Sequence, residues 1–159
     1  MKPKVDEVYK KYANNVFSAA FCICKSKADA EDVTQDAFIK YCSHKKEFAD
    51  ENHIKAWLLR TAINRAKDIK ASFWQRNRVS LEEYMAELEF EEPKDEQLFK
   101  AVMALPQKYR TAIHLYYYED YAVKEIADLL KASVGTVKSQ LSRGRTLLKN
   151  TVEDWKDDE

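Results

Sequence analysis

The segment YAVKEIADLLKASVGTVKSQLSRGRTLLK, residues 121–149, has the apolar spacing of two helices that meet at a short turn. Residues 131–133 form the expected turn, and Ser133 is of a type that commonly caps a following helix. The apolar face of the first helix contains Val123, Ile126, Ala127 and Leu130. The pattern predicts a helix-turn-helix.

The second helix of this pair is predicted to bury one stripe and to expose a polar face. At about 100° per residue, the stripe contains Val134, Val137, Leu141, Gly144 and Leu148. The opposite face has only small or polar side chains, which are Gly135, Ser139, Ser142, Arg143 and Thr146, with Thr136, Lys138 and Lys149 at its edges. Such side chains can reach base edges and phosphates in the major groove of DNA.

The alternative for this helix is a solvated surface without a ligand. Both glycines of the chain lie in it, although a glycine inside a helix costs about 1 kcal/mol relative to alanine. Gly135 would let a phosphate approach the backbone of the first turn, and Gly144 is expected to let the first helix of the pair come close. These placements favour DNA binding.

These residues resemble region 4 of the extracytoplasmic-function sigma factors of bacterial RNA polymerase. The resemblance is carried by EIADLL, by VGTVKSQLSRGR and by the preceding LPQKYRTAIHLYYYEDY, although Lys131 stands where the family often has a glycine. It implies that the second helix reads the minus-35 promoter element. The predicted contacts are Thr136, Lys138, Ser139, Gln140, Ser142, Arg143 and Lys149.

The composition favours an all-α protein, because the 159 residues include only two glycines and three prolines. No apolar run has the length of a membrane span, and the N-terminal MKPKVDEVYKKY is too polar for a signal peptide. Three cysteines, an odd number, argue against a disulfide framework. We expect a cytoplasmic protein without direct membrane insertion.

The sequence predicts no catalytic or metal site. Cys22 and Cys24, like Cys42 and His44, are two residues apart, so on helices their side chains diverge by about 200° and neither pair can share a zinc ion. There is no glycine-rich phosphate loop and no nucleophile with a recognisable base. We therefore expect no metal, no cofactor and no enzymatic activity.

Charge alternates along the chain although the net charge is zero. Residues 1–80 carry 16 basic and 10 acidic side chains, whereas 81–99 carry one and eight. Residues 100–152 carry nine and four, and 153–159 carry one and five. Two basic modules separated by an acidic segment suit a protein that binds a polyanion at two points.

The predicted domains follow these blocks. We expect a three-helix domain at 1–74, a flexible acidic linker at 75–94, a four-helix domain at 95–152 and an acidic tail at 153–159. The family resemblance implies that the linker enters the RNA channel of the polymerase, and a plain solubilising linker is the alternative. In the second domain, helices are predicted from about Asp95 to Met103 and from Pro106 to about Tyr117, ahead of the helix pair.

The first domain is predicted to contain helices at 4–25, 28–42 and 53–73, with Ser26 and Asp29 as a capping pair. The second of these helices exposes Asp32, Gln35, Asp36 and Ile39. Acidic residues around an exposed isoleucine suit a basic helical partner, and an ordinary helix surface is the alternative. The run DAEDVTQDAFIKY resembles sigma region 2.2, which implies that these four residues dock on the clamp helices of the polymerase's largest subunit.

The third helix is predicted to bury Leu58, Ala62, Ala66, Ile69 and Phe73 and to align Arg60, Asn64 and Lys67 on the opposite side. Cations and an amide near an aromatic ring can hold single-stranded DNA, although a core tryptophan with surface cations is the alternative. FADENHIKAWLLRTAINRAKD resembles regions 2.3 and 2.4, which implies melting of the minus-10 element and capture of a flipped base. The predicted contacts are Trp57, Arg60, Asn64, Arg65, Lys67 and Lys70.

The resemblance implies an alternative sigma factor that directs RNA polymerase core to promoters and helps to melt them. Its implied partners are the core enzyme, through the clamp helices and the flap, promoter DNA and an anti-sigma factor. A conventional helix-turn-helix regulator is the alternative, but its N-terminal half would carry a sensing or dimerising domain. A helical adaptor without DNA contacts is a third interpretation.

Overall fold

The computed structural model describes residues 1–72 and 93–151, and every regular element in those ranges is helical. The chain divides into two compact units, Met1–Leu81 and Glu82–Glu159. The first unit contains α1 (Val5–Cys24), α2 (Lys27–Ser43) and α3 (Glu51–Ser72). The second contains α4 (Pro93–Ala104), α5 (Gln107–Ile113), a π-helical turn (His114–Tyr118), α6 (Val123–Leu130) and α7 (Val134–Thr151). The predicted all-α fold is confirmed.

The three helices of the first unit enclose one apolar core. Each begins and ends within two residues of its predicted bounds. Apolar residues at helical spacing on all three helices are fully or almost fully buried, among them Val16, Ile23, Val33, Leu58 and Ala62. Tyr9 of α1 is instead 51% exposed and packs edge-on against Phe38.

A short turn aligns α1 with α2. Lys25 ends α1 in the left-handed conformation, with φ 53°. The next residue, Ser26, caps α2 as predicted, since its Oγ accepts a hydrogen bond of 3.2 Å from the N–H of Asp29. Replacing such a cap with alanine typically costs about 1 kcal/mol.

The second unit differs from the prediction around α5. Pro106 is the N-cap of α5 rather than a residue of its first turn, and α5 ends at Ile113. The chain then continues as the π-helical turn, in which the N–H of Glu119 bonds to the carbonyl of His114. A continuous α-helix to about Tyr117 was therefore the wrong expectation, and the wider turn buries Leu115 completely.

Most of the predicted acidic linker, 75–94, and the tail at 153–159 lie outside the described residues. The same is true of Phe73, the last member of the predicted stripe on α3. Helix α4 begins at Pro93, inside the range predicted for the linker.

Candidate nucleic-acid interface

Helices α6 and α7 form the predicted helix-turn-helix. Lys131, in the turn, adopts the left-handed conformation that glycine favours, with φ 54°. Ser133 caps α7, because its Oγ accepts a 3.0 Å hydrogen bond from the N–H of Thr136. At the start of α6, the carboxylate of Glu125 accepts a 2.9 Å bond from the N–H of Ala122. These two bonds satisfy backbone N–H groups at the starts of α6 and α7.

The buried side of the pair differs from the prediction in both helices. Val137, Leu141, Gly144 and Leu148 are buried as expected, but Val134 is 40% exposed. Helical side chains tilt toward the N-terminus, so the side chain of this first residue points past the end of α7. In α6, Leu129 is buried with Ile126 and Ala127, whereas Val123 and Leu130 are only half-buried.

The polar side of α7 is open to solvent, and we call it the groove face. Its exposed members are Gly135, Thr136, Lys138, Ser139, Ser142, Arg143, Thr146 and Lys149. Gln140, also a predicted DNA contact, is only half-buried, and its Oε1 atom is fully buried without a hydrogen-bond partner in the structure. Its amide oxygen therefore does not face the groove side in this conformation.

Two clefts border the groove face. One, of about 330 Å³, is lined by Tyr116, Val123, Lys138, Leu141, Ser142, Arg145, Thr146 and Lys149. The other, of about 430 Å³, is lined by Lys108, Tyr109, Ser133, Gly135, Thr136, Ser139, Gln140 and Arg143. Basic and hydroxyl-bearing side chains thus extend the polar surface to both flanks of α7.

Gly144 performs the predicted role with a different partner. A Cβ placed there would contact the side chains of Ile113 and Tyr109, so the close neighbour of α7 is α5 rather than α6. The groove face is therefore set by the contact between α5 and α7.

Arg145 is a residue that the sequence prediction missed. It is 7% exposed, and its Nε donates a 2.7 Å hydrogen bond to the hydroxyl of Tyr117. Its guanidinium carbon lies 5.3 Å from the ring centroid of Tyr116 and 5.7 Å from that of Tyr117. Arg145 is four residues after Leu141 and three before Leu148, a spacing that predicts a position on the buried side of α7. The preceding run of tyrosines contains its aromatic partners.

The π-helical turn begins at His114, whose side chain is only 12% exposed. Nε2 of His114 is 3.9 Å from Oε2 of Glu119, and the ring stacks on Tyr118 at 5.5 Å. Burial lowers the pKa of His114, and the carboxylate of Glu119 opposes this shift. Burial also raises the pKa of Tyr121 to about 12, with contributions from Glu119 and Glu125.

In the first unit, the predicted docking side chains lie together on α2. Asp32 and Gln35 are exposed, Asp36 is partly exposed, and Ile39 is 64% exposed. Ile39 is thus a large apolar side chain exposed on the same side of α2 as acidic and amide groups. We call these four residues the docking face.

The polar side of α3 holds most of the other predicted contacts. Arg60, Asn64 and Lys67 are exposed, and the side chain of Lys70 lies outside the described part. Arg65 is exposed but bound, since its Nε donates a 3.0 Å bond to Oδ2 of Asp36. We call Arg60, Asn64 and Lys67, which share one side of α3, the strand face.

Trp57 lies beside the strand face and is half-buried. Its ring centroid is 4.8 Å from that of His44, 5.8 Å from Phe48 and 6.4 Å from Tyr41. Lys2, another residue that the sequence analysis missed, donates to the carbonyls of Cys42 at 3.3 Å and His44 at 2.6 Å. Trp57 is thus part of an aromatic cluster around the α2–α3 loop.

Two further properties concern only the described residues. Among them, no group of three or more His, Cys, Asp or Glu side chains could hold a metal ion. None of the helices in residues 1–72 and 93–151 is long and apolar enough to cross a membrane.

Family models match both units. The sigma-70 region 2 model matches residues 8–78, and the sigma-70 region 4 model matches residues 95–148. A conventional regulator does not account for the first match, which covers the half of the chain where such a protein would carry a sensing domain.

Curated relatives match along most of the chain. SigM of Bacillus subtilis, an ECF RNA polymerase sigma factor, is 29% identical over 159 residues, which cover 91% of this chain and 93% of the relative. SigE of Mycolicibacterium smegmatis is 27% identical over 158 residues, and the match covers 93% of this chain but 61% of that longer protein.

A solved structure has the same fold. The sigma factor RpoE of Bartonella quintana, in complex with the anti-sigma factor NepR, superposes with a TM-score of 0.72 at 19% identity, covering 95% of this chain and 98% of that one. Sigma factors are transcription factors rather than enzymes. The chain belongs to the extracytoplasmic-function sigma factors of the sigma-70 family, alternative sigma factors that direct RNA polymerase to promoters.

Proposed function

We propose that this sigma factor reads the minus-35 element with the groove face of α7, melts the minus-10 element with the strand face of α3, and binds polymerase through the docking face of α2. The observation that carries the proposal is the exposed polar side of α7, held in position by the cap at Ser133 and by the close contact of Gly144 with α5.

On the groove face, Arg143 is exposed beside Ser139 and Ser142 and can reach a base edge. An arginine can bind guanine through two hydrogen bonds, which makes it the strongest specificity determinant available here. Lys138 and Lys149 are about 16 Å apart along the helix axis and would bind backbone phosphates.

Gly135 supports the same orientation. The nearest atom to a Cβ placed there is 3.9 Å away, so packing within the protein does not require a glycine at this position. A phosphate that approached the first turn of α7 would benefit from the positive end of the helix dipole.

On the strand face, the spacing of Arg60, Asn64 and Lys67 brings a cation, an amide and a second cation to one side of α3. The amide of Asn64 can both donate and accept, as recognition of the edge of an unstacked base requires. Melting costs on the order of 1.4 kcal/mol per stacked step, and these contacts would offset part of that cost. Trp57 would support the face by packing and by its exposed edge.

The docking face would bind the clamp helices of the polymerase's largest subunit, with Ile39 as the apolar anchor and Asp32 and Asp36 facing basic side chains. The flap of the core enzyme is the second proposed contact. An anti-sigma factor is a further proposed partner, as in the solved RpoE–NepR complex. The anti-sigma factor would hold the protein in the cytoplasm, or at the membrane when the anti-sigma factor is itself anchored there.

Selection of binding sites from a random pool of duplex DNA tests this proposal. With polymerase core present, the protein should enrich two motifs at a fixed spacing, and without core it should enrich neither strongly. Enrichment of a single motif by the protein alone would instead identify a conventional helix-turn-helix regulator.

A further inference from the structure

Residues 1–3 lie along the α2–α3 loop, which comprises residues 44–50, and we call them the strap. Met1 pairs with Phe48 through both backbone groups. Its carbonyl accepts a 2.9 Å hydrogen bond from the N–H of Phe48, and its nitrogen donates a 2.8 Å bond to the carbonyl of Phe48. Phe48 is 2% exposed, whereas residues 45–47 and 49–50 are exposed. The strap is therefore bonded to the buried residue of the loop.

Side chains attach the strap to the end of α2 as well. Nζ of Lys2 donates to the carbonyls of Cys42 and His44, at 3.3 Å and 2.6 Å. Its ammonium group also lies 5.4 Å from the ring centroid of Tyr41, whose hydroxyl donates to the carbonyl of Pro3. The last carbonyls of a helix have no partner within the helix, and a lysine can satisfy them. The strap thus joins the end of α2 to the loop that follows it.

The loop in turn packs against Trp57. The ring centroids of Phe48 and His44 lie 5.8 Å and 4.8 Å from that of Trp57. Trp57 is three residues before Arg60 and seven before Asn64, a spacing that places it on their side of α3. A displacement of the loop would therefore change the support of the ring that borders the strand face.

We propose that the strap positions Trp57 for single-stranded DNA by fixing the α2–α3 loop. The inference rests on the proposed function of the strand face. Lys2 and Tyr41 are positioning residues, which act on the DNA strand only through the loop and Trp57. Tyr41 is 1% exposed and cannot contact DNA itself. A side chain that is already held in its bound orientation loses less conformational entropy when it binds, so a fixed loop favours binding.

The test measures binding of polymerase holoenzyme to two DNA fragments, a forked promoter fragment with a single-stranded minus-10 element and a duplex that carries only the upstream element. Lys2→Ala and Tyr41→Phe should each weaken binding to the forked fragment by about 2- to 10-fold, the range expected for the loss of a hydrogen bond. Neither variant should change binding to the upstream duplex. Lys2→Arg should restore binding to the forked fragment, because a guanidinium can donate to the same carbonyls.

Lys11→Ala is the matched control. Lys11 is also exposed, and its Nζ lies 3.4 Å from Oε2 of Glu51, so this variant removes the same charge and a contact with the start of α3 but leaves the strap intact. Tyr41→Phe removes no charge, so a loss in that variant separates positioning from direct attraction between Lys2 and DNA. Hydrogen exchange at the amide of Phe48 should be faster in both strap variants and unchanged in Lys11→Ala.

A strap that only stabilised the fold would lower the urea midpoint and leave the ratio of forked to duplex binding unchanged. That result would overturn the inference, as would an equal loss in Lys11→Ala or a loss in Lys2→Ala without one in Tyr41→Phe.

Failure of the underlying function is recognised separately, with Asn64→Ala on the same forked fragment. If Asn64→Ala weakens binding and the two strap variants do not, the strand face stands but the role of the strap is wrong. If Asn64→Ala leaves binding unchanged, the strand face itself is wrong, whatever the strap variants do.

Discussion

Gly144 of α7 lies so close to Ile113 of α5 that a Cβ added to the glycine would stand 2.9 Å from Cγ1 of the isoleucine. Real Cβ atoms do not tolerate that distance, and Cγ1 is not the flexible end of its side chain. The contact sets how α7 rests on α5 and hence the direction of the groove face. Glycine is needed here because of packing, since its φ is not positive.

Gly144→Ala should therefore destabilise the protein even though alanine is the better helix former. The gain in helix propensity is about 1 kcal/mol, and overpacking of a filled core typically costs about 1–3 kcal/mol. Gly135→Ala is the matched control, because its Cβ would meet no atom closer than 3.9 Å. Urea unfolding should show a lower midpoint for the first variant only, and an unchanged or higher midpoint for Gly144→Ala would contradict the packing account.

Arg143→Ala should weaken holoenzyme binding to the upstream element by about 1–3 kcal/mol, because it removes the proposed base contact. Anisotropy titrations on the native and on a scrambled upstream element separate the roles of the side chain. The loss should appear on the native sequence only. An equal loss on both sequences would identify Arg143 as a phosphate contact.

Asn64→Ala should leave polymerase binding unchanged and impair promoter opening, because Asn64 is exposed on α3 and lies outside the docking face. Permanganate reactivity of unpaired thymines reports the opening on duplex DNA. A template melted in advance should restore transcription by the variant. If that template fails as badly as the duplex, base capture is not the role of Asn64.

His114 should make stability depend on pH. Because burial lowers its pKa in the folded state from the ordinary 6.5, the unfolded chain binds this proton more readily. The free energy of unfolding should accordingly fall as the pH drops below about 6.5, and His114→Gln should flatten that part of the profile. Urea unfolding between pH 5 and 8 measures this. An unaltered slope in the His114 variant would contradict the account.

Local rules were sufficient to predict much of the fold. Serine before an apolar periodic segment commonly caps a helix, so Ser26 and Ser133 could be predicted as caps. In the structure, each hydroxyl accepts a hydrogen bond from the backbone N–H group three residues later. Helical periodicity correctly separated the buried side of α3 from Arg60, Asn64 and Lys67. These features depend on neighbours within one or two helical turns, which the sequence displays directly.

The features that were missed depend on tertiary partners. Arg145 is buried because Tyr116 and Tyr117, 28 to 29 residues earlier, surround its guanidinium, whereas an arginine is usually expected at the surface. The pairing of Asp36 with Arg65 likewise depends on the packing of α2 against α3. Helical periodicity predicts which side of its own helix each residue occupies. It does not predict which side chains from different helices meet.

Run-off transcription on genomic fragments with purified core polymerase tests whether this protein gives RNA polymerase its promoter specificity. Transcripts should start at discrete sites only when both the protein and the core are present, and they should be lost with Asn64→Ala on duplex templates. Transcripts with the same start sites from core alone, or none from the combination on any fragment, would contradict it.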